Sequence, residues 1–267
     1  MKVDYSYTET NCRAYHGISV DEHECRAHLQ GPVKNNLTDK EERNESLERL
    51  NALYHETGFE ASDGLLEDIR ALEDENLQVQ HFRIGEAYAE VLLEQQFSCR
   101  FYWNELRDAR NPKGNKTGAD LIGFVKVEGE VHFLFGEVKT SSEVANRPPQ
   151  VMTGKEGIEA QLKALYSERN KRLILISYLK NKMRLFPDSQ PFTEDFVKGI
   201  NAYYSKPEKY LLQGVLIRDV EPDERDLEAC YCRLKNQILD PTGLNLIAVY
   251  LPYQHDKWLE IINETTL

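Results

Sequence analysis

The chain has 267 residues, 40% of them hydrophobic, and a formal net charge of −12. That is enough apolar material for one large core or two smaller ones, and it holds no apolar run of 18 residues that would span a bilayer. The five cysteines are an odd number in a long chain, the start MKVDYSYTETNC has no apolar core of a secretory signal, and both point to free thiols in a reducing cytoplasm.

In chain order, residues 1–38 show weak periodicity and a break at Gly31-Pro32, which reads as irregular or mixed structure. Cys12, His23, Cys25 and His28 lie in this stretch, but their spacing matches no zinc-finger pattern. TDKEERNESLERLNALY opens on Thr38 as a candidate N-cap. A second acidic helix is predicted from Ser62 to Glu75, with Leu65, Leu66, Ile69 and Leu72 as its apolar stripe. Residues 39–76 hold 13 acids and 4 bases, a net of 4 − 13 = −9, so the rest of the chain carries only −3. This segment reads as a solvated helical face, a dock for a basic partner, or a shield over a site.

FRIGEAYAEVLLEQQF is the clearest helix, striped by Ile84, Tyr88, Val91 and Leu92. CRFYW follows as a short strand, then a basic loop rich in breakers containing Arg107, Arg110, Lys113 and Lys116. GADLIGFVKVEGEVHFLFGEVKTSSE reads as a hairpin about a Glu128-Gly129 turn, since two-residue turns favour Gly at positive φ. Thr153 and Glu156 look like a capping box for the helix IEAQLKALYSERN. RLILISYL, a nearly continuous apolar run, reads as a strand covered on both faces. A helix over 192–204, a strand LLQGVLIRD, a helix DERDLEACYCRLKN and a strand LNLIAVYLP complete an α/β chain with a mixed sheet.

The hairpin carries the chemistry. With Val127 opposite Glu130, paired positions sum to 257 and Asp120 falls opposite Glu137; side-chain alternation puts Lys139 on the same face. Two carboxylates side by side with one ammonium repel unless something offsets them. A hard divalent cation that prefers oxygen ligands would do so: Mg²⁺, with Mn²⁺ as the alternative ion. Metal-held water is a nucleophile near neutral pH, Lys139 can orient it or offset phosphate charge, and the basic loop running into Asp120 can hold backbone phosphates. The apolar context LIGF and FLFGEV, the hairpin pairing and the preceding helix argue against a plain exposed ion pair, and a glycosidase carboxylate pair leaves the lysine unexplained.

Asp120, sixteen intervening residues, and Glu137-Val138-Lys139 resemble the PD-(D/E)xK nuclease superfamily over about residues 81–180, although Ala119 stands where the motif name has proline. The resemblance implies a restriction-endonuclease-like αβββαβ core over about residues 81–180, inside a nuclease domain of residues 81–267 with additional C-terminal strands and helices, preceded by an acidic extension over residues 1–80. It also implies an acidic metal ligand on the preceding helix, for which Glu86 is the match and Glu90 the rival. Some members carry a Gln on the following helix with a Tyr four residues on; Gln161 fits, but Leu165 holds the second place and the tyrosine is Tyr166. More narrowly, GADLIGF followed by FGEVKTS is similar to the HamA family, the nuclease subunits of Hachiman anti-phage defence systems. That likeness implies a HamB-like helicase partner and Mg²⁺-dependent DNA cleavage. A stand-alone restriction or repair nuclease, and a non-catalytic subunit on the same scaffold, remain the alternatives.

Overall fold

The computed structural model describes the whole chain except residues 39, 57–59, 61, 74–78, 104–117, 185, 187–189 and 265–267, and the side chains of 40–43, 45, 71 and 72. The class is α/β. Seven strands form one mixed sheet: β1 (Lys2–Thr10), β2 (Arg13–Ser19), β3 (Cys99–Arg100), β4 (Leu121–Val127), β5 (Glu130–Ser141), β6 (Tyr210–Arg218) and β7 (Gly243–Tyr250). Their order across the sheet is β1-β2-β7-β6-β5-β4-β3. The four inner strands β2, β7, β6 and β5 run parallel, and β1, β4 and β3 are added antiparallel at the edges.

Helices cover both faces, as a sheet with parallel inner strands requires. On one face lies α5 (His81–Gln96), packed with α1 (Glu22–His28), the π turn Leu29–Val33, α2 (Lys34–Thr38) and α11 (Trp258–Asn263). On the other lie α6 (Gln150–Thr153), α7 (Ile158–Ser167), α8 (Arg169–Met183), α9 (Pro191–Tyr204) and α10 (Glu228–Lys235). Strand β6 is buried along its whole length between the two layers. The acidic helices α3 (Lys40–Tyr54) and α4 (Asp63–Glu73) pack against each other. No helix among the described residues is long and apolar enough to cross a membrane.

Several expectations are corrected. Residues 2–19, expected to be irregular or mixed, supply two strands of the central sheet. Cys12 sits in the β1–β2 turn, where its carbonyl accepts from Leu244 at the start of β7. Cys25 and His28 lie on α1, beyond the opposite end of β7, so these residues do not gather. RLILISYL is not a strand but part of α8. Its buried residues Arg172, Leu175, Ile176 and Leu179 recur at helical spacing, while Ile174 inside the run is exposed. An apolar run alone does not separate a strand from a buried helix. Arg172 decides the matter by tertiary contact. Its guanidinium donates to the carbonyls of Leu165 and Tyr166 at the end of α7 and to the Tyr203 hydroxyl.

Two cap assignments also fall. Thr38 ends α2, and its hydroxyl donates back to the Lys34 carbonyl at 2.9 Å. Thr153 is the last residue of α6, and α7 starts after Gly157 with no side-chain cap. Helix α4, expected from Ser62, starts at Asp63 with Ser62 before it, whose hydroxyl accepts from Leu65 N–H.

Candidate functional site

The hairpin forms as its turn chemistry requires. Glu128 and Gly129 have φ of 50° and 88°, the positive pair of a two-residue turn whose twist suits the flanking strands. Val127 pairs with Glu130 and Leu121 with Gly136. There the ladder stops: β4 ends at Leu121, whereas β5 runs on to Ser141 beside β6. The last five residues of β5 therefore leave the hairpin, and Glu137 and Lys139 lie on this stretch.

Asp120 does not continue the ladder as a plain cross-strand partner. Its N–H donates to the Gly136 carbonyl at 3.0 Å, and its Oδ2 accepts from Val138 N–H at 3.0 Å. The side chain thus folds onto β5, where its charge acts on the Glu137 carboxyl. Lys139 Nζ stands 2.5 Å from Glu137 Oε1. The side chains of Glu137 and Lys139 are 7% and 21% exposed, so the acid is shut in and the lysine keeps some solvent.

Burial first, and then the charge of Asp120, push the Glu137 carboxyl up to about 8, with Lys139 acting against both. Burial works against the charge of Lys139, but Glu137, Asp120 and Glu86 outweigh it and the ammonium is held above its usual range. This is the signature of acids crowded beyond what their local cation neutralises.

Glu86 reaches this group from α5. Adding a Cβ at its neighbour Gly85 would bring that atom to 2.4 Å from Thr140 Oγ1, so only glycine lets the helix approach β5 this closely. Glu86 is paired with Arg83 Nη1 at 2.7 Å and lies within the electrostatic reach of Lys139. Glu90, the rival, is buried and accepts from Asn36 Nδ2 at 3.3 Å, which turns it toward α2. Gln161 Nε2 donates to Glu156 at 2.8 Å, a contact within its own helix entry. Arg107, Arg110, Lys113 and Lys116 lie outside the described residues.

Among the described residues no three His, Cys, Asp or Glu side chains are gathered as a metal-binding group. The donors nevertheless suit a hard cation. Asp120 and Glu137 offer carboxylate oxygens and carry the mutual repulsion that a divalent ion relieves; Glu86 would have to release Arg83 to join them.

Sequence reasoning missed a neighbouring cluster at the same end of the sheet. Ser142 Oγ lies 2.8 Å from Asp219 Oδ2 and 2.7 Å from His255 Nδ1. Asp219 also accepts from His255 N–H at 2.9 Å. The rings of His81 and His255 are 4.7 Å apart. Burial works to raise the Asp219 carboxyl, but its bonds from Ser142 and His255 leave it lower than usual. No local pattern joins residues 81, 142, 219 and 255, so only an alignment of the ends of β5, β6 and β7 reveals them.

No protein-family model matches the chain, and no curated protein matches its sequence.

Proposed function

We propose that this protein is a metal-dependent DNA nuclease of the PD-(D/E)xK type, and that it serves as the nuclease subunit of a helicase–nuclease anti-phage complex. The reading rests on one observation above the others: a buried Glu137 carboxyl pressed against Asp120, with Lys139 Nζ 2.5 Å away, where β5 leaves the hairpin. The order α5, β3, β4, β5, the four helices α6–α9, then β6 is compatible with an αβββαβ core whose last strand is β6 in place of RLILISYL. Glu137 pairs with Gly214 at the middle of β6 and Lys139 with Leu216 toward its carboxyl end, the side on which α/β sheets generally carry their sites.

In this reading Asp120 and Glu137 hold Mg²⁺ or Mn²⁺, Glu86 is the auxiliary ligand, and Gln161 is the outlying candidate. A bound divalent ion supplies charge neutralisation and a more acidic water. Lys139 supplies the rest: an ammonium, part exposed, that can point at the attacking water or at a non-bridging phosphate oxygen. The Val138 N–H fixes the Asp120 carboxylate, so the ligand set is partly preorganised by the backbone of β5. Arg107, Arg110, Lys113 and Lys116 are the proposed phosphate contacts. An overall charge of −12 disfavours tight DNA binding by the chain alone and supports the need for a DNA-gripping partner, here a HamB-like helicase.

The test is incubation of linear and supercoiled DNA with the protein, alone and with its genomic neighbour, with Mg²⁺ or with chelator. Metal-dependent cleavage that disappears in Glu137→Ala and Lys139→Ala supports the reading. Undiminished cleavage by either variant refutes the assignment. Carboxylate-independent behaviour toward Mg²⁺ in calorimetry, with no cleavage in either setting, favours a non-catalytic subunit. Cleavage by the chain alone at full rate favours a stand-alone nuclease.

A further inference from the structure

The opposite end of the sheet, the amino ends of β6 and β7, holds a second site of different chemistry. On the face covered by α5 the central strands present apolar residues, among them Leu134, Val215, Ile217, Ile247 and Val249. Past the end of α5 at Gln96 the same face presents amides. Gln213 on β6 and Asn245 on β7 are register partners, and they line a crevice of about 340 Å³ with Phe97, Cys99, Val125 and Leu211. That volume lies within the range of small-ligand pockets.

The sheet does not need this amide pair. Gln213 is 1% exposed. Its Nε2 leans on backbone oxygens already belonging to the sheet, those of Gly214 at 3.0 Å and Asn245 at 3.3 Å. Asn245 Oδ1 is buried without any partner. Two leucines would pack here at no polar cost, whereas a buried amide oxygen without a donor is a standing penalty. Places where a local rule is broken without a structural gain are expected at functional or strained sites. The mouth of the crevice is spanned by one long-range bond, Asn11 Nδ2 to Glu128 Oε1 at 2.8 Å, joining the tips of the β1–β2 and β4–β5 hairpins.

We propose that this crevice binds a nucleobase. The flat walls, the strand floor and the Phe97 ring, suit a planar heterocycle. Asn245 offers an acceptor beside its own amide donors, the paired arrangement by which Asn and Gln read a base edge. Lys126 lies at the rim, where a ribose or a strand would leave the pocket. The base can arrive as a free nucleoside or at the end of a nucleic-acid strand, and the chemistry of the pocket is the same for both. Gln213 is the register partner of Gly136, next to Glu137, but strand alternation puts its side chain on the α5 face and that of Glu137 on the other.

Calorimetry on the full chain tests it, titrating adenosine, uridine, a tetranucleotide and ribose. Expected is binding of a nucleoside or the tetranucleotide tighter than about 1 mM, with none for ribose. Asn245→Leu is expected to lose at least about tenfold in affinity while melting no lower than the parent, because the unpartnered oxygen is gone. Should Asn245→Leu fold poorly, Cys12→Trp, which fills the mouth from the hairpin turn, is expected to show the same loss. Glu137→Ala is expected to bind as the parent does, so failure of the nuclease reading leaves this result intact. Ribose binding as well as adenosine, no binding by any base-bearing ligand, or undiminished binding by a folded Asn245→Leu or Cys12→Trp overturns the proposal.

Discussion

Two buried ion clusters lie at the carboxyl end of the parallel strands, and they are built on opposite principles. In one, the Asp226 carboxylate receives Arg147 Nη1 at 2.5 Å and the Tyr250 hydroxyl at 2.9 Å, with Arg218 Nε at 3.6 Å. Two cations meet one anion; Arg218 also donates to the Glu143 carbonyl and Arg147 to the Glu221 carbonyl, while Arg218 Nε and Nη1 and Asp226 Oδ1 stay buried without a hydrogen-bond partner. In the other, the carboxyls of Asp120 and Glu137 share the ammonium of Lys139, with Glu86 near and already committed to Arg83. There the acids outnumber the cations among the described residues, with Lys139 as the paired ammonium. One cluster has cations in excess, the other acids. Exposure separates them in the same sense. Arg218 and Asp226 side chains are wholly buried, whereas Lys139 keeps a path to solvent.

The comparison breaks or sharpens under substitution. The largest effect on stability is expected from Asp226→Ala, which strands two guanidiniums; breaking a buried pair from one side costs about 3–5 kcal/mol. Chemical denaturation should show that loss, and a variant within 1 kcal/mol of the parent, roughly the worth of a surface pair, would contradict a structural role. Glu137→Ala should do the reverse. Cleavage should fall by roughly 10²–10³-fold or more while the unfolding midpoint barely moves.

Gly85→Ala lies between these extremes. Its Cβ meets Thr140 Oγ1, and overpacking of this kind costs about 1–3 kcal/mol. Cleavage should weaken too, because Glu86 is displaced from Lys139. Unchanged stability and rate would mean that α5 does not approach β5 as closely as this.

The raised carboxyl of Glu137 also makes a pH prediction. Its folded value of about 8 exceeds the ordinary 4.5, so between those two values the folded chain holds a proton that the unfolded chain releases. Stability from this group is therefore greatest below about pH 4.5 and declines as pH rises toward 8. Glu137→Gln removes the dependence. Relative to the parent, its melting temperature should rise across that window, by roughly 2–4 °C per kcal/mol of relief, and added Mg²⁺ should stabilise the parent more than the variant. A flat difference between pH 4.5 and 8 would mean that neither burial nor Asp120 raises the Glu137 carboxyl. The smallest effect is expected from Glu159→Ala. Its partners Lys163 and Arg233 stay substantially exposed, and such pairs contribute about 0.2–1 kcal/mol.

Much of the fold was legible where local chemistry decides it. The Glu128-Gly129 turn set the hairpin register through Leu121 and Gly136. The stripes of α5 and α9 and the continuous apolar runs of β6 and β7 also took the forms expected of them. Illegibility began where two forms share one pattern. RLILISYL satisfies a buried strand as well as a helix, and Arg172 reaching back to the end of α7 settles it. Residues 2–19 showed no strong alternation because β1 is an exposed edge and β2 is buried on both faces.

By itself the sequence determined which residues carry charge in an apolar hairpin, because side-chain period and turn type are local properties of the chain. Only the tertiary structure decided how those charges meet. Asp120 turns onto the Val138 N–H because β4 ends while β5 continues, and Glu86 rather than Glu90 faces Lys139 because a glycine lets α5 close on Thr140. Contacts between residues far apart in sequence depend on which surfaces pack, and packing is a property of the whole chain.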